Sequence, residues 1–231
     1  MIRACLPTHC LGHPARIEEI FSICANHCIE VVEDAAEALG SWDKSEHVGI
    51  RTRASALSFN GNKIITTGGG GIVLLREEED AKRVKHLSTQ AKVAHSWEFN
   101  HDKIGFNYRM PNLNAALGLG QMDSLASFLQ KKRSLFLIYR EWFLKKGVPL
   151  FEERKETKAN YWLNSVLLPS RAHRDTFLEK TNQNGVMTRP LWQPMHVLPM
   201  YSGCARTRLD VAESIAGQLV TLPSSPLPSR L

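Results

Sequence analysis

Short apolar runs alternate with segments of helical periodicity along this chain of 231 residues. Period-two or continuous apolar runs predict strands, and apolar residues recurring at threes and fours predict helices. The predicted strands are 29–32, 54–59, 71–75, 161–168 and 186–191, and the predicted helices are 17–26, 77–90, 112–146, 171–182 and 209–219. Such alternation is typical of an α/β protein.

The longest predicted helix begins at Pro111–Asn112 and ends before Gly147. Its apolar positions form one stripe, which predicts a buried face. These positions are Leu113, Ala116, Leu117, Leu119, Met122, Leu125, Leu129, Phe136 and Tyr139. We therefore expect a larger domain at 1–111, a connecting helix at 112–147 and a smaller domain at 148–231.

Composition narrows the class of protein. Hydrophobic residues make up 43% and charged residues 23%, as in ordinary globular proteins. The formal net charge of +6 is spread along the chain and suits a small anionic substrate. No basic stretch interleaves with aromatic residues in a recognisable module, so nucleic-acid binding is not predicted.

Five cysteines at irregular spacing, without an apolar signal-peptide core, favour reduced thiols in a cytoplasmic protein. Cys24 and Cys28 could share a metal from one helix face, but no second ligand pair has zinc spacing. Buried thiols are the favoured interpretation, and no metal site is predicted. No apolar stretch reaches the roughly 20 residues of a membrane span.

Two residues could carry chemistry at the ends of predicted strands. Asp34 ends the first strand, where ligands of open α/β sheets gather, and its carboxylate could hold a protonated ring nitrogen. Lys63 follows the second strand, and a partly desolvated amine there could attack a carbonyl. Taken singly, Asp34 is better explained as a polar strand end or helix cap, and Lys63 as a solvated surface lysine.

Lys63 precedes a run of four glycines, Gly68 to Gly71, which predicts a sharp turn or a close approach of the backbone. This is not a phosphate-binding P-loop, because the lysine comes before the glycines. Ser58 could donate to a phosphate or simply belong to its strand. Asn107 and Arg109 lie in Gly-Phe-Asn-Tyr-Arg-Met, which could reach an anion or form an ordinary anchored loop.

The order of these motifs is more informative than any one of them. Glu-Asp-Ala-Ala-Glu at 33–37 is followed by Ser-Phe-Asn-Gly-Asn-Lys at 58–63, by Thr-Thr-Gly-Gly-Gly-Gly, and by the 105–110 motif. This order resembles the DegT/StrS-type sugar aminotransferases, over nearly the whole chain. His13-Pro14 and the Thr188 to His196 segment are similar to further family segments. The resemblance implies a fold-type I, aspartate-aminotransferase-like structure with a partial large domain and a small C-terminal domain.

The resemblance also implies a cofactor, pyridoxal 5′-phosphate (PLP), and a role for each matching residue. Lys63 matches the Schiff-base lysine, Asp34 the partner of the pyridine nitrogen, and Ser58 a phosphate ligand. Glu37 stands where many members have Gln near the cofactor ring. Asn107 matches a residue that reaches the phosphate in the neighbouring subunit, which implies a homodimer. Arg109 and His196 are candidate substrate ligands.

The implied activity is amination of a nucleotide-linked keto-sugar, with glutamate as the expected amino donor, in amino-sugar or surface-polysaccharide biosynthesis. A sugar dehydratase is disfavoured because such relatives replace the lysine with histidine. Family chains carry over one hundred further residues before the position of Met1, so we expect a truncated member. The alternative is an inactive remnant or split half that acts only by binding a partner.

Overall fold

The computed structural model of the protein describes residues 2–226. The chain divides into two compact units. The first comprises the chain up to Leu129 together with Glu153–Asn160, and the second comprises Gln130–Glu152 and the chain from Tyr161 onward. The predicted assignment of a PLP-binding large domain and a small domain to parts of the chain stays a prediction.

The strands of the first unit are β1 (Ala4–Cys5), β2 (Glu30–Asp34), β3 (Trp42–Asp43), β4 (Glu46–His47), β5 (Ala54–Ser58), β6 (Gly71–Leu75), β7 (Lys92–Val93), β8 (Asn100–His101) and β9 (Thr157–Lys158). Four of them form a sheet in the order β1-β2-β5-β6. The helices of this unit are α1 (Ile17–Asn26), α2 (Glu78–Ser88), α3 (Asn112–Met122) and the start of α4 (Leu125–Leu144). The predicted strands at 29–32, 54–59 and 71–75 are therefore confirmed, as are the helices at 17–26 and 77–90.

Because β1, β2 and β5 run in the same direction, their carboxyl ends lie at one edge of this sheet. β1 pairs with β2 and β2 with β5 in parallel, and β6 returns antiparallel to β5. On one face, Leu57 joins a core with Ala35, Ala38 and Val48, because alternate β5 side chains point to that side. The carboxyl ends of β1, β2 and β5 consequently lie together.

The single long helix predicted at 112–146 is two helices, α3 and α4, separated at Asp123–Ser124. The predicted buried stripe is also wrong in α3, where Leu113 is 83% exposed and Leu119 76% exposed. Farther along, Phe136 in α4 is buried. Periodicity identifies an apolar face but does not reveal whether anything packs on it.

Cys24 and Cys28 also differ from expectation. Cys24 is buried, whereas Cys28 is exposed and lies beyond the end of α1 with a φ of 53°. The prediction of two buried thiols is therefore wrong for Cys28. Within residues 2–226, no helix combines the length and apolarity that a bilayer crossing requires.

The second unit contains the rest of α4 together with β10 (Ser165–Leu167), α5 (Arg171–Gln183), β11 (Arg189–Pro190), α6 (Asp210–Gln218) and β12 (Leu219–Thr221). The three strands form an antiparallel sheet in the order β10-β12-β11. The strands predicted at 161–168 and 186–191 are shorter than expected, and β12 was not predicted. Ser170 caps α5, because its side chain accepts a hydrogen bond from the His173 amide.

A buried lysine fastens the segment after β12 to α4. Lys132 is 5% exposed, and its Nζ donates to the carbonyls of Trp162 at 3.0 Å and Ser224 at 2.7 Å. The Tyr139 hydroxyl donates to the Pro223 carbonyl at 2.9 Å. Burial lowers the pKa of Lys132 from 10.5 to about 8.

Because the pKa of Lys132 is lower in the folded chain, the unfolded chain binds more protons between pH 8 and 10.5. The free energy of unfolding should therefore rise with pH across this window, by up to about 3 kcal/mol for this group. Urea unfolding of wild type and Lys132→Met at several pH values measures the rise, which should be missing from the variant. Lys145→Met, which removes an exposed lysine, should retain it. Identical pH dependence in wild type and Lys132→Met would contradict this account.

Candidate active site

Asp34 and Ser58 lie at the carboxyl ends of neighbouring parallel strands. Asp34 pairs in register with Ala56, on the face of β2 opposite buried Glu33. One carboxylate oxygen of Asp34, Oδ1, accepts the Ala36 amide hydrogen at 3.1 Å. This is the turn-capping contact that the sequence allowed. Among the residues that the structure describes, Oδ2 of Asp34 accepts no hydrogen bond and can receive one from a ligand.

Glu37 is held beside Asp34 by the turn that follows β1. The Leu11 amide donates to Glu37 Oε2 at 2.6 Å, and Leu11 adopts a left-handed φ of 58°. Burial raises the pKa of Glu37, and the negative charge of Asp34 raises it further, against the opposing effects of the Leu11 amide and Lys63. Glu37 is thus a half-buried carboxyl group that takes up a proton more readily than an exposed glutamate.

Lys63 faces these two carboxylates from the loop after β5. Burial lowers the pKa of its amine, while the charges of Glu37 and Asp34 act in the opposite direction. The buried side chains of Ile64 and Ile65 anchor the loop next to it. The structure therefore brings Asp34, Glu37 and Lys63 into one electrostatic cluster, with the amine easier to deprotonate than an exposed lysine.

The glycine run lies in the same loop and forms the sharp turn and close backbone approach that the sequence predicts. Gly68 and Gly70 have φ values of 78° and 127°. A Cβ on Gly71 would lie 2.5 Å from the Leu57 carbonyl oxygen. The Phe59 amide donates to Gly70, and the Thr67 amide donates back to Phe59, so the ends of the loop are joined. Ser58 accepts the Asn60 amide hydrogen at 3.3 Å, which leaves its own hydroxyl hydrogen available.

Sequence reasoning missed a buried pair next to the site, His9 and Glu33. Both are fully buried, and His9 Nε2 lies 2.9 Å from Glu33 Oε2. Their sequence separation of 24 residues leaves no local signal, although alternation along β2 places Glu33 opposite Asp34. Cys10, next to His9, is exposed to solvent but lies near Glu37 and Asp34, whose negative charges act to raise the pKa of its thiol.

Asn107 and Arg109 are both exposed. The backbone of their segment is fixed, since the Phe106 and Tyr108 amides donate to the Leu87 and Ser88 carbonyls at 2.7 and 2.9 Å. Within residues 2–226, neither side chain has a hydrogen-bond partner. The structure does not bring them into the cluster of Asp34, Glu37 and Lys63, and their roles stay predictions.

His196 belongs to the second unit, where it is half-buried in a short 3₁₀ turn, Met195–Val197. Its Nε2 lies 2.7 Å from Glu213 Oε1 on α6. Its predicted contact with substrate remains a prediction.

Lys63 and Asp34 therefore lie near each other at the carboxyl edge of a mostly parallel α/β sheet, where open α/β sheets bind their ligands. The sequence profile of the DegT/DnrJ/EryC1/StrS aminotransferase family matches residues 2–229. The chain belongs to this family, and its predicted fold is confirmed.

Three known proteins illustrate the similarity. GDP-perosamine synthase of Escherichia coli O157:H7 is 34% identical over 224 residues, which are 97% of this chain and 61% of that protein. Helicobacter pylori PseC is an aminotransferase involved in the biosynthesis of pseudoaminic acid, and its structure matches this chain with a TM-score of 0.91 at 23% identity. The match covers 97% of this chain and 62% of the PseC chain. DesV of S. venezuelae, solved in complex with a ketimine intermediate, has a TM-score of 0.87 at 28% identity, covering 99% and 61%. The chain thus spans about three fifths of the length of these relatives.

Gly12 tests how tightly the turn beside Glu37 is packed. It has a φ of 86°, and an added Cβ would lie 1.8 Å from Oδ1 of Asn160, whose amide nitrogen donates to the Glu37 carbonyl. Gly12→Ala should lower the free energy of unfolding by roughly 2–4 kcal/mol, through backbone strain and overpacking. Gly147→Ala, also at positive φ but in open space, should cost only about 1–2 kcal/mol. Equal losses in urea unfolding would show that the contact with Asn160 contributes nothing.

Proposed function

We propose that the protein takes part in PLP-dependent transamination of a nucleotide-linked keto-sugar, with an amino acid, glutamate, as the donor. The observation that carries this proposal is the cluster of one desolvated amine, Lys63, with two carboxylates, Asp34 and Glu37. Membership of the aminotransferase family supports the reaction type. The 34% identical relative is named for making a GDP-linked sugar, perosamine, which supports the substrate class.

The residues present fit this cofactor on structural grounds. A pyridine nitrogen needs a carboxylate with an accepting oxygen, and Asp34 offers Oδ2. An aldehyde needs an amine that loses its proton readily, and burial provides this at Lys63. A phosphate needs hydroxyl or amide donors, and Ser58 has an available hydroxyl hydrogen at the end of β5. Glu37 would then lie beside the ring.

PLP supplies, when bound, an aldehyde that condenses with amines and a protonated ring that accepts an electron pair. Lys63 would hold the cofactor through its amine. The same amine would act as the general base that removes the proton from the α-carbon of the amino-acid donor, and as the general acid that returns it. Asp34 would keep the ring nitrogen protonated by accepting a charge-assisted hydrogen bond from it.

Borohydride reduction in the presence of PLP tests the proposal without an activity assay. We expect a stable cofactor adduct on the Lys63 peptide by mass spectrometry, together with a near-visible absorbance band before reduction, and both should disappear in Lys63→Ala. Lys103→Ala, which removes an exposed lysine from the same unit, should leave both signals intact. An unchanged spectrum and adduct yield in Lys63→Ala would exclude Lys63 as the cofactor lysine.

We also propose a cytoplasmic homodimer in which Asn107 completes the partner's cofactor site. Free thiols at all five cysteines support the cytoplasmic location. The support for action across subunits is that Asn107 is exposed on a fixed backbone, without a side-chain partner among the described residues. Arg109 follows on the same segment and could contact an anionic nucleotide there.

Subunit mixing tests this arrangement. Lys63→Ala and Asn107→Ala chains should each bind PLP poorly alone. After unfolding and refolding together in equal amounts, about a quarter of the sites should regain the wild-type pair from different subunits. PLP bound after gel filtration, read from the absorbance band, measures the recovery. No recovery, despite dimers by light scattering, would place both residues in the same subunit's site.

A second candidate function is binding to another polypeptide without catalysis. The exposed apolar side chains of Ile72 and Val73 on β6 and of Leu113 and Leu119 on α3 favour it, because large exposed apolar patches mark interaction surfaces. Such a chain would bind a partner yet give no Lys63 adduct in the reduction experiment.

A further inference from the structure

The buried pair of His9 and Glu33 has no part in the mechanism above. Their side chains are 0% and 1% exposed. Glu33 accepts four hydrogen bonds: from His9 Nε2 at 2.9 Å, the Gly49 amide at 2.9 Å, the Thr52 hydroxyl at 2.8 Å and the Thr52 amide at 3.3 Å. A carboxylate so fully bonded is costly to disturb, because any lost donor leaves buried charge unpaired.

The direction of the His9–Glu33 hydrogen bond follows from the other ring nitrogen. His9 Nδ1 accepts the Ala15 amide hydrogen at 3.0 Å, so Nε2 carries the proton and donates to Glu33. Burial acts to raise the pKa of Glu33, but the hydrogen bonds from His9, Thr52 and Gly49 outweigh it and lower the pKa. Glu33 is therefore a charged anchor for the imidazole.

The main chain of His9 is also hydrogen-bonded to the main chain of Asp34. The His9 amide donates to the Asp34 carbonyl at 3.0 Å, and the Asp34 amide donates to the Pro7 carbonyl at 2.9 Å. Since Glu33 and Asp34 are consecutive in β2, the side chain of His9 fixes one residue while its main chain fixes the next. The orientation of the Asp34 carboxylate depends on that strand end.

His9 also begins the turn that holds Glu37. The Gly12 amide donates to the His9 carbonyl at 3.2 Å, and Leu11 within this turn donates to Glu37. A shift of His9 therefore moves the Leu11 amide, which donates a hydrogen bond to the Glu37 carboxylate. Both carboxylates that face Lys63 are connected to the one imidazole.

We propose that His9 is a positioning residue which, through Glu33 and the turn to Leu11, fixes Asp34 and Glu37 against the Lys63 amine. The inference rests on the proposed function only in taking Lys63 as the reacting amine. Two other titratable groups face this assembly. Cys10 faces Asp34 and Glu37, and His47, whose pKa is lowered by burial, faces His9 and Glu33.

The experiment uses the chain without cofactor and measures the reactivity of Lys63 itself. Reductive methylation over a range of pH, followed by mass spectrometry of the Lys63 peptide, gives the titration profile of the amine. His9→Asn keeps an acceptor near the Ala15 amide but cannot reach Glu33, whereas His9→Gln can still donate to Glu33. Because the two carboxylates hold the proton on Lys63, their displacement in His9→Asn should shift the profile to lower pH. Labelling at neutral pH should rise at least about threefold, equivalent to half a pKa unit.

His9→Gln should restore the wild-type profile, a rescue that a purely structural role would not produce. A folded His9→Asn chain of lower stability but unchanged profile would overturn the proposal. If His9→Asn does not fold, Thr52→Val decides, since it removes one donor to Glu33 without touching His9. A smaller shift in the same direction supports the proposal, and an unchanged profile overturns it. Failure to bind PLP leaves this readout intact, so the two proposals can fail separately.

Discussion

The candidate site depends on one buried carboxylate, that of Glu33, which joins three parts of the first unit. Its donors come from the segment after β1, from Gly49, and from Thr52 just before β5. Short parallel strands of two to five residues make few ladder bonds of their own. A charged group that accepts four hydrogen bonds therefore joins these segments to the end of β2.

The chemistry at that edge follows from two opposing effects on the Lys63 amine. Burial favours its neutral form, and the neighbouring Glu37 and Asp34 charges favour its protonated form. Burial makes this amine easier to deprotonate than an exposed lysine, and the two carboxylates favour the return of the proton, so the amine can serve as a general base and then as a general acid. The positions of the two carboxylates therefore influence how readily the Lys63 amine loses its proton, whereas an exposed lysine has no such neighbours.

Much of this arrangement was predictable from local sequence. β2, β5 and β6 contain short apolar runs bounded by polar or glycine residues, and the order of the motifs along the chain indicates the family. The His9–Glu33 pair was not predictable, because contacts between residues 24 positions apart leave no periodic trace. The break between α3 and α4 and the exposure of Leu113 were missed for another reason: an apolar stripe records what a helix can bury, not what covers it.

The central claim is that Lys63 and Asp34 act on opposite ends of one PLP ring. The most direct test is the ¹⁵N chemical shift of the ring nitrogen in PLP labelled at that position and bound to the protein. The account predicts the shift of a protonated pyridine in the wild type and that of a neutral pyridine in Asp34→Asn, with Lys63 bonded in both. The same shift in both proteins would contradict it.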